Sequence, residues 1–314
     1  MEENLSLILG LYAAGLAVSG LLYAYRLGKA GKNRLCALAA YLLGLPLAFI
    51  GAKLFFLLHN LGMDIRNWSF ESAFRPAWEE MSFTGGCTGF VLGVWLAAKC
   101  LKTDSRTALD FFAVPGCVLI AFARMAEAGM ETISQGDMPS FLPEVFPFAT
   151  GDDWGYSLAV FTFEALTAVC CAVWLLLNEK KETRPGLLFE KAVLILCAAQ
   201  MFWEMLTVNY WIPFIISFIH LEQVVCAVIL LVIVIRGSVQ NKKAGPAVVT
   251  VLLIALNALM QYIQDKPYLF PLPETFEVGT AAVIVFALTA AGLTAAGLWA
   301  VGRNQSQLTS SKGS

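Results

Sequence analysis

Charge is scarce in this sequence. Of 314 residues, 21 are Lys or Arg and 23 are Asp or Glu, 14% in all, where a soluble domain carries about 25%. With 58% hydrophobic residues and a mean hydropathy of +0.70, that shortage argues against a water-soluble fold. The formal net charge is only −2. No basic patch or stripe of the kind nucleic-acid binders carry is present, so no nucleic-acid partner is expected. Histidine is limited to His59 and His220, too few for a multi-His metal centre. The eight cysteines (36, 87, 100, 117, 170, 171, 197 and 226) show no C-x-x-C spacing and mostly sit in apolar runs. They read as small packing residues rather than a zinc site or a disulfide framework. No metal or organic cofactor is implied. There is no 20–50-residue repeat and no low-complexity tract beyond a polar tail from about 303.

What the sequence has in abundance is long apolar runs. A hydrocarbon core about 30 Å thick needs roughly 20 apolar helical residues. Nine stretches qualify or nearly so: about 5–25, 35–58, 82–98, 107–123, 155–177, 187–206, 214–235, 246–262 and 280–301. The first begins Met1-Glu2-Glu3, acidic where a signal peptide is basic, and is read as a span. The expected fold is an all-α polytopic transmembrane bundle of about nine helices.

Basic residues orient it. Sixteen Lys and Arg fall in alternate connections, from Arg26, Lys29, Lys32 and Arg34 to Arg303 and Lys312. Only Arg66, Arg75, Arg124 and Lys266 fall on the other side, with Lys53 inside a span. The expectation is an N-terminus outside and a C-terminus in the cytoplasm.

Ionisable residues within a span are costly and mark function by default. Lys53, Arg124, Glu127, Glu164, Glu204 and Glu222 lie inside or at the edges of spans, with His220 beside the last. At 1.5 Å per residue, Glu164 some nine residues in, Glu222 about eight in and Lys53 about five from its outer end sit roughly 8–14 Å below the outer surface. Paired helix-packing residues would have no reason to favour one leaflet, so a polar cavity open to the outer half is expected. Arg124, Glu127 and Glu131 are spaced to share one helix face if the fourth helix continues, and an Arg fork suits a phosphate. Gly85, Gly89 and Gly93 form a small-xxx-small ridge for close helix packing. The doublet Gly85-Gly86 at the membrane edge is a candidate for backbone approach to a headgroup. Trp68, Trp78, Trp154, Tyr210 and Trp211 read mainly as interfacial belt residues.

In order and spacing these landmarks resemble the prolipoprotein diacylglyceryl transferases. Gly51-Ala52-Lys53-Leu54 is similar to the family's Gly-Ala-Arg-Leu. Ser82-Phe83-Thr84-Gly85-Gly86 resembles Ser-Phe-His-Gly-Gly, and Ala108–Pro115 resembles Leu-Leu-Asp-Leu-Leu-Ala-Pro. Ala123-Arg124-Met125-Ala126-Glu127 loosely matches the signature Gly-Arg-Ile-Gly-Asn, and Thr162-Phe163-Glu164-Ala165 echoes Leu-Tyr-Glu-Ala. Gly186-Leu187-Leu188-Phe189, Glu204 and Glu222-Gln223 follow in register. The resemblance covers about 1–236 and divides the chain into a seven-helix transferase-like domain over 1–236, two additional helices over 237–302 and a polar cytoplasmic tail over 303–314. Several positions depart from it. Thr84 stands where the family has His, Gln200 replaces an Arg one turn before Glu204, Glu127 replaces Asn, and alanines replace the signature glycines.

The resemblance implies transfer of the diacylglyceryl group of phosphatidylglycerol to the lipobox cysteine of a signal-peptide-bearing prolipoprotein. Its partners would be that anionic phospholipid and that preprotein, both entering from the bilayer. A thiol needs a base or a lowered pKa to attack, and the departing glycerol phosphate needs positive charge or fixed donors. Arg124, Glu204, Glu164 and His220 are the catalytic candidates. Lys53, Thr84, Gly85, Gly86, Glu127, Gln200, Glu222 and Gln223 are the candidates for substrate binding. Two alternatives stay open: a family-derived lipid or lipopeptide binder, or transferase for another phospholipid, without this activity; and a secondary transporter, which the absence of a repeated half with broken helices disfavours.

Overall fold

The computed structural model describes residues 4–59, 81–130, 135–139, 142–152, 155–181, 184–207, 220–266 and 278–302. Among these are nine long helices: α1 (Leu5–Lys29), α2 (Leu35–His59), α3 (Phe83–Cys100), α4 (Ser105–Ala126), α5 (Val160–Asn178), α6 (Leu187–Leu206), α7 (Leu221–Gln240), α8 (Gly245–Asp265) and α9 (Val278–Val301). Eight are long and apolar enough to cross a membrane. The exception is α6, which carries the charges of Glu190, Lys191 and Glu204 within its 20 residues. Leu21, Leu42, Leu177, Val239 and Leu288 are each at least 65% exposed, which is the surface a helix presents when its solvent is lipid. The chain is a multi-pass helical membrane protein.

Two boundaries move relative to the hydropathy reading. The fifth helix starts at Val160, not near 155, because Gly155–Ala159 form a strand. That strand, β3, pairs antiparallel with β2 (Ala149–Asp152) and on its other edge with β1 (Gln135–Gly136), giving the order β1-β3-β2. Apolar residues running straight into a helix hide such a strand, since hydropathy does not separate the two. The seventh helix starts at Leu221, not near 214, with His220 as its N-cap. Glu164 is therefore the fifth residue of α5 and Glu222 the second of α7. Arg66, Arg75, Trp68, Trp78, Glu131, Trp154, Tyr210, Trp211, Arg303 and Lys312 lie outside the described residues.

The structure divides into two compact units. The first is Met1–Ala192 with Leu206–Ile215, and the second is Val193–Met205 with Ile216–Ser314. In the first, a core of Tyr23, Leu27, Ala40, Phe90, Val94 and Phe112 joins α1 to α4. Phe112 stacks on Phe90 at 5.6 Å and meets Tyr23 edge-on at 5.5 Å, and the Tyr23 hydroxyl donates to the Ala108 carbonyl at 3.1 Å. The α2–α3 seam is glycine on glycine. Gly51 and Gly85 abut, Gly89 lies on the Leu47 carbonyl and Gly93 on Gly44, so a Cβ on Gly51, Gly85, Gly89 or Gly93 would strike backbone. At the far end, Arg26 of α1 grips Glu179 with both terminal nitrogens (2.7 and 3.2 Å) and donates from Nε to the Phe111 carbonyl at 3.1 Å. Asp110 of α4 accepts the Gly186 and Phe189 amides at 2.5 and 2.9 Å. It thus caps the orphan donors at the start of α6 from a different helix.

In the second unit, Leu194, Leu230, Leu293 and Phe286 are buried among α6, α7 and α9. Gly237 of α7 meets the Ala300 backbone of α9, and Asn241 closes that end by donating to the Ala300 carbonyl at 2.8 Å. On α8, Asn257 donates to Thr289 of α9 at 3.4 Å.

Candidate functional site

The predicted polar residues gather into two constellations, one in each unit. The first is built on Arg124, in the last turn of α4. The helix ends at Ala126 and tightens into a 3₁₀ turn over Glu127–Gly129, which the Asn4 amide fixes by donating to the Gly129 carbonyl at 2.8 Å. The turn carries Glu127 back onto the arginine. Arg124 donates from Nη1 to Glu127 Oε1 at 2.6 Å and from Nη2 to Glu164 Oε1, on α5, at 2.9 Å. Its guanidinium lies over the Phe83 ring of α3, 3.7 Å from Cζ to the centroid. Arg124, Glu127 and Glu164 are all at most 9% exposed. A charge in an apolar setting is tolerated when it is paired and hydrogen-bonded, and a cation gains further from an aromatic face.

The expected Arg124–Glu127 neighbourhood is thus an ion pair, with Glu164 as a second carboxylate. Phe83 is a member of this group that the sequence reading did not single out. Its place right after the N-cap Ser82, one residue before Thr84, was the available signal. Tyr12 of α1 and Cys87 of α3 also lie within electrostatic range of Arg124.

The glycine doublet has other work. The Gly85 amide donates to Ser82 Oγ at 3.1 Å and the Gly86 amide to the Ser82 carbonyl at 3.0 Å. Gly85 is also wedged against Gly51. Two of the backbone donors proposed for a headgroup are consumed by the N-cap of α3. Thr84 is buried, and its carbonyl accepts the Thr88 hydroxyl at 2.8 Å. Lys53 is buried on α2 next to Ala52, whose carbonyl accepts the Ser82 amide at 3.1 Å.

The second constellation is centred on Glu204 of α6. His220 Nδ1 lies 2.7 Å from Glu204 Oε1, and Gln200 donates to Glu204 Oε2 at 3.3 Å. The His220 amide donates to Gln223 Oε1 at 3.3 Å. Gln223 in turn contacts Met205 Sδ through Nε2 and accepts from Gln261 Nε2 of α8 at 3.0 Å. Glu204, His220, Glu222, Gln223 and Gln261 are all at most 8% exposed. Gln261 was not among the candidates, because it lies outside the span of the resemblance. Chemically, the first group offers a clamped cation with two carboxylates. The second offers an imidazole–carboxylate pair suited to taking and returning a proton. No group of three or more His, Cys, Asp or Glu able to hold a metal occurs among the described residues.

Long apolar helices, with two buried polar groups among them, define a multi-pass helical membrane protein. The family model of prolipoprotein diacylglyceryl transferase matches residues 10–237, and the chain belongs to that family. No curated protein matches it.

Proposed function

We propose that this protein transfers the diacylglyceryl group of phosphatidylglycerol to the lipobox cysteine of prolipoproteins in a bacterial cytoplasmic membrane, with its N-terminus outside and its polar groups towards the outer leaflet. Residues 1–236 carry the transferase domain, and 237–302 supply two further helices. In the reaction, the cysteine sulfur forms a C–S bond with the terminal glyceryl carbon while that carbon's bond to the phosphate oxygen breaks. Glycerol phosphate departs with the electron pair, and the thiol proton passes to a base.

The observation that carries the reading is the buried His220–Glu204 pair at 2.7 Å in a chain of a transferase family. A carboxylate hydrogen-bonded to an imidazole orients it and stabilises the imidazolium that forms on proton transfer. It supplies a base in a sequence where Thr84 stands at the family's histidine position. Arg124 is the candidate anchor for the phosphate. Both of its terminal nitrogens engage carboxylates, so a phosphate seats there by exchanging with Glu127 or Glu164.

The test is thioether formation by purified protein in phosphatidylglycerol liposomes with a lipobox peptide, read by the peptide's mass. A diacylglyceryl adduct on cysteine is expected, lost in His220→Ala and Glu204→Gln. A second reading, binding of lipid or lipopeptide without transfer, has one observation in its favour. Gln200, a neutral amide bonded to Glu204, stands where the family has a cation. Lipid retained on the purified protein with no adduct, beside an active control enzyme, would establish that reading and sink the first.

A further inference from the structure

The helices beyond residue 237 lie outside the family match, yet α8 reaches into the second constellation. Gln261 is 7% exposed and donates from Nε2 to Gln223 Oε1 at 3.0 Å. That same oxygen accepts the His220 backbone amide at 3.3 Å, and His220 begins α7 as its N-cap. The other end of the Gln223 amide rests on Met205, the residue after Glu204. A buried amide has two donors and an acceptor to satisfy, and leaving one unmade inside an apolar bundle costs about 1–3 kcal/mol. Gln223 therefore has one favoured orientation, and its outer partner comes from α8. Asn257 and Gln261 lie one turn apart on the buried side of α8, but Asn257 is turned to Thr289 of α9 and has no link in this chain to His220.

From this we infer that α8 is a brace for the second constellation, with Gln261 a positioning residue that acts through Gln223 to hold His220 against Glu204. The inference deepens the reading of His220–Glu204 as the base pair and rests on it for its catalytic consequence. Its structural content stands apart from that reading. A hydrogen-bond donor two links away fixes the peptide of the N-cap, hence the direction in which the imidazole leaves the backbone. Small displacements of a base matter because proton transfer needs heavy atoms at hydrogen-bond distance.

The experiment uses the full-length protein with histidine-selective 15N labelling. Only His59 and His220 contribute signals, and His59→Gln assigns them. Imidazole 15N shifts at one fixed pH report tautomer and Nδ1 hydrogen bonding without reference to turnover. Gln261→Met keeps volume and removes the donor, and Gln261→Asn keeps the amide but draws it back by one methylene, so one variant remains if the other does not fold. Thr289→Val loosens α8 against α9 at Asn257 without touching the relay. The expected result is a changed His220 signal in the Gln261 variants and an unchanged one in Thr289→Val. In the peptide assay, kcat is expected to fall about tenfold with the lipid KM unchanged, a fraction of the 10²–10⁴ that a general base contributes. A His220 signal that does not move in either Gln261 variant, or that moves equally in Thr289→Val, overturns the brace, whatever the assay gives. An inactive wild type with a shifted His220 signal in the Gln261 variants instead removes the transferase reading and leaves the brace.

Discussion

Arg124 is the residue at which electrostatics and function pull in different directions. With both carboxylates ionised, Arg124, Glu127 and Glu164 sum to −1, so a phosphate seats on the arginine only as one of the carboxylates gives up its place. The arginine is nevertheless what makes the two carboxylates tolerable in their buried setting. Removing one partner of a buried pair strands the others and costs about 3–5 kcal/mol. Arg124→Ala is therefore expected to lower thermal stability in detergent by that order, and Arg124→Ala with Glu127→Gln and Glu164→Gln to recover a large part of it. Arg124→Lys keeps the charge but loses the fork that reaches both carboxylates. It is expected to insert and fold while losing most of its transfer activity. Melting curves read beside the mass assay separate the two effects. If Arg124→Ala melts like the wild type, the three groups are not energetically coupled.

At the scale of elements, local chemistry decides where helices begin and how closely they approach. The third and fourth helices are joined by a turn that ends at Asp104, the N-cap of α4. Its carboxylate accepts the Thr107 amide at 2.9 Å and the Thr107 hydroxyl at 2.5 Å, and these bonds hold its pKa below the usual carboxylate value. Because the folded value lies below the unfolded one, the cap's stabilisation is complete above about pH 4 and is lost as pH falls through the lowered value. Asp104→Ala is expected to cost about 0.5–2 kcal/mol at neutral pH. Wild type and variant should converge in stability as pH falls through that lowered value, which melting curves across pH would show; a constant gap would mean that the carboxylate is not the cap.

The same scale shows what was legible in the sequence. The Gly85–Gly89–Gly93 ridge was visible as a spacing, and it does form a close seam. Its partners Gly44 and Gly51 were not, because which helix a ridge meets depends on tertiary pairing. The strand at Gly155–Ala159 was invisible for a different reason: five residues abutting an apolar helix shift no hydropathy average. Arg124 with Glu127 was readable from i, i+3 spacing, whereas Glu164, His220 against Glu204, and Gln261 join from other helices at separations that no local pattern encodes.

For the whole molecule the decisive quantity is the asymmetry of charge across the bundle, sixteen basic residues in one set of connections against four in the other. Each Lys or Arg kept on the cytoplasmic side contributes to orientation during insertion, so a fourfold excess leaves one arrangement strongly favoured. Basic residues occupy the last turns of α1 (Arg26, Lys29) and α3 (Lys99). Cys100, the last residue of α3, is exposed beside the basic turn and provides a native reporter. In a variant retaining only that cysteine, a membrane-impermeant maleimide is expected to label nothing in intact cells and to label Cys100 in inverted membrane vesicles. The opposite pattern would put the basic turns outside. It would also carry the other end of α4, where Arg124 and Glu127 sit, to the cytoplasmic face, away from a substrate thiol presented after secretion. Labelling at this one position therefore tests the topology and the proposed chemistry together, since a transferase acting on secreted preproteins needs Arg124 near the outer surface.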